Sequence, residues 1–154
     1  MPGINTRSAT LADLEKLLEF EQGIIAVERA YDLTLKPGHI NYYDIGKMIE
    51  AEDAEVLVVV QENNILASGS AIIKKAKPYQ RFEQYCYLGF MYVLPEWRGQ
   101  GINQQILDGL TEWSKKQGLN EIRLQVYADN DAAIRAYEKA GFTKDMIEMR
   151  INIE

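Results

Sequence analysis

The sequence is poor in several residue types, and each shortage narrows its function. It has one cysteine, Cys86, so no internal disulfide can form. Cys86 sits in an apolar run, where a buried, inert thiol is expected instead of a nucleophile. His39 is the only histidine, beside Pro37-Gly38 in a loop-like stretch, and one imidazole does not make a metal site. No run approaches membrane-spanning length, and the N-terminal MPGINTRSATLADLEK lacks the continuous apolar core of a signal peptide. A soluble, cytoplasmic protein is the expectation. Basic residues are neither abundant nor clustered: 17 Lys and Arg face 23 Asp and Glu, giving a net charge of -6. That balance argues against sequence-independent nucleic-acid binding and against attraction to an anionic membrane. No interdomain linker and no internal repeat is visible.

What remains is an ordinary globular balance, 47% hydrophobic and 26% charged, in a length that suits one domain spanning residues 1–154. Residues 4 to 7 read as a short first strand. SATLAD, Ser8 to Asp13, offers helix caps ahead of Leu14, Leu17, Leu18, Ile24 and Ile25, with Gly23 expected to interrupt or re-aim that helix. A turn at Pro37-Gly38 precedes a short helix around Tyr43 to Glu50. AEVLVVVQ and ILASGSAIIKKA read as strands joined by a hairpin turn at Asn63 and Asn64. YCYLGFMYV, residues 85 to 93, is almost wholly apolar, as a central strand covered on both faces should be. Gly101 opens a helix whose Ile102, Ile106, Leu107, Leu110 and Trp113 form one stripe. EIRLQVY, Glu121 to Tyr127, alternates like a strand, and NDAAIRAYEKAG like a helix capped by Asn130 or Asp129. Ile147, Met149, Ile151 and Ile153 alternate with polar residues, which predicts a half-exposed last strand.

The turn RGQGINQ between central strand and helix carries the chemistry. Gly99 and Gly101 permit a tight turn that exposes amides at a helix N-terminus, where the dipole favours phosphate oxygens, and Arg98 adds a positive charge. The same glycines equally suit a connection chosen for conformation alone, and the turn by itself leaves both readings open. It is a poor dinucleotide fingerprint, because Gln104 replaces the last glycine of GxGxxG. It also lacks the Lys-Ser or Lys-Thr pair of a nucleoside-triphosphate loop.

Two motifs in order give the series a family resemblance. Val93 to Arg98 followed by Gly99-Gln100-Gly101-Ile102-Asn103 resembles the acyl-CoA loop of the GNAT superfamily of N-acetyltransferases, Arg/Gln-x-x-Gly-x-Gly/Ala. Asn130, Ala133, Tyr137, Gly141 and Phe142 match that family's Asn-x-x-Ala-x-x-x-Tyr-x-x-x-Gly-Phe. The departure is Asn103, where Gly or Ala is usual. The resemblance implies the acyl-CoA N-acyltransferase fold, an α/β (α+β) architecture. Its mixed, mostly antiparallel central sheet would have six or seven strands, flanked by about four helices. It implies acetyl-CoA as cosubstrate, with its pyrophosphate across the amides of residues 99 to 103 and Arg98. The pantetheine arm would run between the strands at 85 to 93 and 121 to 127, paired by backbone groups of Met91, Tyr92 and Val93. Asn130 would hold that arm or position the next helix. Tyr137 matches the family's general acid, although by itself it reads as a packing residue on an Ala-rich helix face.

Acetyl transfer needs a neutral amine, a polarised thioester carbonyl and a proton for the departing thiolate. Glu83 and Glu21 are the sequence's candidates for the general base, each also readable as a surface carboxylate. Tyr31, Tyr42 and Tyr43 are candidates for lining an acceptor pocket. The activity implied is transfer of an acetyl group to a primary amine in a ternary complex, with no metal. The alternative is a non-catalytic acyl-CoA-binding regulatory module. A homodimer fits the resemblance, but no periodicity demands one.

Overall fold

The computed structural model describes residues 3–154. Five strands form one sheet in sequence order: β1 (Ile4–Ser8), β2 (Ala54–Gln61), β3 (Asn64–Lys75), β4 (Gln84–Val93) and β5 (Ile122–Arg123). The first three pairings are antiparallel and β4–β5 is parallel. Helices α1 (Leu14–Glu28) and α2 (Ile45–Glu50) cover one face. Helix α3 (Ile102–Lys116) covers the other, and α4 (Asp131–Lys139) follows β5.

Strand β2 shows why the apolar runs are nearly continuous. Val56, Val58 and Val60 pack with Leu17, Phe20 and Ile45 on the α1 side, while Leu57 and Val59 pack with Ile106 and Leu110 on the α3 side. A strand buried on both faces has no polar register to keep. Gly23 does not interrupt α1, which continues through it to Glu28. Its lack of a side chain serves packing instead: a Cβ there would lie 2.8 Å from the Tyr92 ring on β4. The β2–β3 hairpin turns at Glu62 and Asn63, with Glu62 taking the positive φ of 56°, so Asn64 belongs to β3.

Strand β4 changes faces part-way. Cys86 and Leu88 belong to the α3-side core, yet Phe90 belongs to the α1-side core. The cause is a bulge: between the pairs Ser70–Gly89 and Ser68–Tyr92, Phe90 and Met91 stand opposite Gly69 alone. Phe90 takes a φ of 55°. Its displaced backbone groups are satisfied by side chains. The Phe90 N–H donates to Tyr43 Oη (3.1 Å), and its carbonyl accepts from Ser68 Oγ (3.0 Å).

The sheet is narrower than the six or seven strands expected, because the C-terminal third adds little to it. The run Glu121 to Tyr127 pairs only at Ile122 and Arg123, and residues 143–154 form no strand. The alternating apolar side chains of that last segment have no covering layer among the described residues.

Candidate active site

Strands β4 and β5 pair at Cys86–Ile122 and Tyr87–Arg123 and then part. Residues 88–93 of β4 run on without a β5 partner, so a wedge opens between the two chains towards the glycine turn. Beyond the last pair the two chains are linked by a side chain, Tyr87 Oη donating to Gln125 Oε1 at 3.1 Å. The bulge and the early end of β5 together place Met91, Tyr92 and Val93 beside this opening.

At its far end, Gly99 (φ 77°) and Gly101 (φ 81°) occupy the left-handed region, where a side chain is strained. A Cβ at either position would meet nothing within 4 Å, so the turn is open on its outer side. Gly101 caps α3 with no side-chain hydrogen bond. Among the described residues the amides of residues 99 to 104 have no protein acceptor. Arg98 is aimed by two contacts: its Nε donates to the Val93 carbonyl (2.9 Å), and its guanidinium lies over the Tyr92 ring at 5.5 Å. Its terminal nitrogens are left without a protein partner among the described residues. Ile102 is buried in the α3-side core and offers the turn only its backbone. Gln100 is tied back, its Nε2 donating to the Glu96 carbonyl at 3.3 Å. Asn103 is half-buried on the first turn of α3 and makes no side-chain hydrogen bond to the protein. Unpaired amides, a helix N-terminus and the two terminal guanidinium nitrogens of Arg98 form a cradle suited to a pyrophosphate.

Asn130 caps α4, its Oδ1 accepting from the Ala133 N–H at 3.3 Å, which sets the helix that carries Tyr137. The Tyr137 ring packs edge-on against Phe142, with centroids 5.8 Å apart. Burial, then the negative charge of Glu28 and the proximity of Tyr43, push its hydroxyl up to about 12.

The two carboxylates singled out in the sequence lie in different settings. Glu83 is exposed just before β4, at the end of the strand farthest from the glycine turn. Glu21 is fully buried, and its Oε2 accepts from the N–H groups of Tyr42 (2.9 Å) and Tyr43 (2.8 Å). It thereby pins the segment between α1 and α2 that bears both tyrosines, while its Oε1 has no partner in the protein.

A third carboxylate was absent from the sequence-based expectations. Glu28, the last residue of α1, is half-buried, and the salt bridges of the described residues do not include it. Burial raises its pKa above the usual carboxylate value, opposed by Tyr42 and reinforced by Asp32. Its charge in turn raises the hydroxyl pKa of Tyr42, Tyr43, Tyr87, Tyr127 and Tyr137, in each case after burial as the larger cause. The charge of Glu28 therefore reaches tyrosines drawn from the α1–α2 segment, β4, the end of the β5 run and α4. The Tyr42 hydroxyl lies close to it but closes no hydrogen bond of standard geometry. Tyr127 in turn donates to Asp32 Oδ2 (2.6 Å) and stacks on Tyr31 at 6.2 Å. The available signal was helical spacing: Glu21 and Glu28 are seven residues apart, on one face of α1. Among the described residues no three His, Cys, Asp or Glu side chains are grouped to hold a metal.

The sequence matches the profile of the acetyltransferase (GNAT) family over residues 19–142, most of the chain and both motif regions. The chain belongs to the acetyltransferase (GNAT) family. Among curated proteins it is similar to YobR, an uncharacterized N-acetyltransferase of Bacillus subtilis. Identity is 41% over 59 residues, 38% of this chain and 24% of that protein. The chain thus spans about a quarter of that relative's length. A mutant protein from Bacillus halodurans shares the fold, with a TM-score of 0.86 at 20% identity, covering 97% of this chain and 99% of that one. A predicted acetyltransferase from Clostridium acetobutylicum, solved with acetyl-CoA, has a TM-score of 0.74 at 21% identity, covering 97% and 96%. The GNAT chain described here therefore has the architecture its motifs implied, on a five-stranded sheet.

Proposed function

We propose that this GNAT chain is an acetyl-CoA-dependent N-acetyltransferase acting on a cationic primary amine. The observation that carries the reading is the wedge between β4 and β5, with the open amide cradle of residues 99 to 104 at one end. The half-buried Glu28, whose charge reaches several tyrosines, is its acceptor-side carboxylate. The cradle fits acetyl-CoA: its glycines leave room for a pyrophosphate, Arg98 supplies countercharge, and Met91, Tyr92 and Val93 border the path of the arm. Bound there, acetyl-CoA supplies an activated acyl group with a thiolate leaving group. Structures such as the Clostridium protein with acetyl-CoA support this assignment.

On the acceptor side, a carboxylate within aromatic faces attracts an ammonium by charge and by cation–π contact. Glu28 then takes the proton that must leave before the amine attacks, a task for which its raised pKa is better matched than an ordinary carboxylate. The nitrogen forms the new bond to the acetyl carbon, the C–S bond breaks and sulfur keeps the electron pair. The second proton, shed by the acylated nitrogen, ends on that sulfur, leaving the amide and the free thiol. Tyr137 faces that charge. A hydroxyl near 12 is a weaker acid than a thiol of about 8.5. Tyr137 therefore stabilises the thiolate chiefly by donating a hydrogen bond instead of surrendering its proton outright. In this reading Glu21 positions Tyr42 and Tyr43, Glu83 has no part in the transfer, and Asn103 lends its free amide to phosphate or pantetheine. The lone buried thiol, Cys86, fits a cytoplasmic setting. The test is acetyl-CoA turnover with a panel of primary amines beside direct acetyl-CoA binding. Amine-dependent thiol release supports the enzyme, and binding with no turnover on any amine supports a regulatory module.

A further inference from the structure

Glu21 is a buried acid to which the transfer assigns no proton. It is fully buried in the middle of α1, and the salt bridges of the described residues include no cation for it. Its Oε1 has no partner, an arrangement costly to stability that packing alone does not explain. Its Oε2 accepts from two consecutive N–H groups, those of Tyr42 (2.9 Å) and Tyr43 (2.8 Å). Gln22 on α1 and Arg29 just after it fasten the same segment through its carbonyls. Gln22 Nε2 donates to the Ile40 carbonyl at 2.8 Å, and Arg29 Nη1 to the Lys36 carbonyl at 2.7 Å. The backbone leading to Tyr43 is thus tied to one helix at successive points.

From that fixed position Tyr43 holds β4. Its Oη accepts from the Phe90 N–H at 3.1 Å, and its ring meets the Phe90 ring edge-on at 5.6 Å. Gly89 leaves the hydroxyl its place, since a Cβ there would lie 3.2 Å from Oη. Phe90 needs such a hold. At φ 55° it has a conformation that bulky residues seldom adopt and that persists only where the surroundings impose it. Met91 follows it in the bulge, and Tyr92 and Val93 resume the ladder with Ser68 and Ala67. The setting of the Phe90 peptide therefore decides how residues 91–93 present their backbone to the wedge.

We infer that Tyr43 is a positioning residue for acetyl transfer: its hydroxyl, held in place by Glu21, fixes the Phe90 peptide and so aligns the backbone of Met91, Tyr92 and Val93 with the acyl arm. The inference rests on the acetyl-CoA path proposed above. In this role neither Tyr43 nor Glu21 touches the reacting atoms. A loosened bulge still leaves the amide cradle and Arg98 to bind the pyrophosphate, so the loss falls on rate. A misplacement of about 1 Å at the reacting carbonyl is enough to slow turnover by as much as about 100-fold.

Tyr43→Phe tests this, because it deletes the hydroxyl and keeps the ring. Steady-state kinetics should show kcat reduced about 30-fold, with the KM for acetyl-CoA within about threefold and the acid limb of the pH profile unmoved. Hydrogen exchange followed by NMR on the ligand-free protein should show the Phe90 amide exchanging at least about tenfold faster. A general loss of stability would instead spread over the core. Glu21→Leu, a side chain of comparable size without the acceptor, should reproduce both effects in samples whose circular dichroism matches the wild type. Glu21→Gln keeps an oxygen for the two N–H groups and should recover turnover to within about threefold of the wild type. Combining Tyr43→Phe with Glu21→Leu should cost no more than either alone, because both break one link. Unchanged kcat in Tyr43→Phe would overturn the inference, as would a fall in kcat with Phe90 exchange at the wild-type rate. A Glu21→Gln form as slow as Glu21→Leu, with its acid limb lost, would make Glu21 a base instead of an anchor. A wild type inert on every amine would overturn the proposed function, while the exchange measurement, made without ligand, still confirms or overturns the hold on the bulge.

Discussion

The sheet from β1 to β4 and the segment from β5 to the C-terminus are held by different means. In the first, long antiparallel ladders fix the register, and two cores bury both faces of β2. In the second, β5 pairs over two residues, α4 has no fully buried residue, and the tail lies against β5 through side chains. The difference separates scaffold from function. The ladder region supplies rigidity and the bulge at Phe90, and its end at Tyr87–Arg123 creates the wedge. The thinly held region carries Tyr137 and Tyr127.

Substitutions can break this comparison, and the largest effect should fall in the scaffold. Ile106 is fully buried on α3, so Ile106→Ala should cost about 3 kcal/mol of unfolding free energy, read by denaturant melts. In the second region the largest effect should be on rate. Tyr137→Phe should lower turnover about 100-fold while acetyl-CoA affinity stays within about threefold, since the hydroxyl acts on charge that develops during transfer. Parallel losses of affinity and rate would make Tyr137 a packing residue.

Next in size is Glu28→Gln, expected to lower kcat/KM for the amine about 30-fold at neutral pH. The pH dependence gives the sign. Burial raises the Glu28 pKa, and only the carboxylate accepts a proton. Activity should therefore fall towards acid at a pH above the ordinary Glu value of about 4.3, and the glutamine should abolish that limb. Gly101→Val forces a β-branched residue into the left-handed region at φ 81°, and acetyl-CoA binding by calorimetry should weaken about tenfold. The smallest effect sharpens the contrast with Ile106. Ile151→Ala, at 82% exposure, should change the stability of the monomer by less than about 0.5 kcal/mol.

The same division marks what the sequence disclosed. Patterns backed by local physics were legible: the apolar stripe of α3, the buried runs of β2 to β4, and the glycines that leave the turn its positive φ. Long-range pairing was not. The alternation of Ile147 to Ile153 predicts a half-exposed last strand, but residues 143–154 form none, because alternation alone supplies no neighbouring strand to pair with. The bulge was hidden because YCYLGFMYV is apolar on both sides, so a change of face leaves no trace in the pattern. In the candidate site, the glycine turn and Tyr137 are the residues that motifs single out. Glu28 is not among them, because a carboxylate at a helix end resembles a solvated one until the fold brings tyrosines from distant parts of the chain within reach of its charge. Gly23 was misread for a related reason: the helical pattern cannot show that the Tyr92 ring lies against it.

The central claim is that the wedge between β4 and β5 holds acyl-CoA and that Glu28 takes the proton of a primary ammonium. Its most direct test is the initial rate of thiol release from acetyl-CoA, with and without a primary amine, for the wild type and for Glu28→Gln. Amine-dependent release in the wild type, strongly reduced in the glutamine form, is the predicted result. Acetyl-CoA bound without amine-dependent release, or equal rates for the two forms across the pH range, would contradict it.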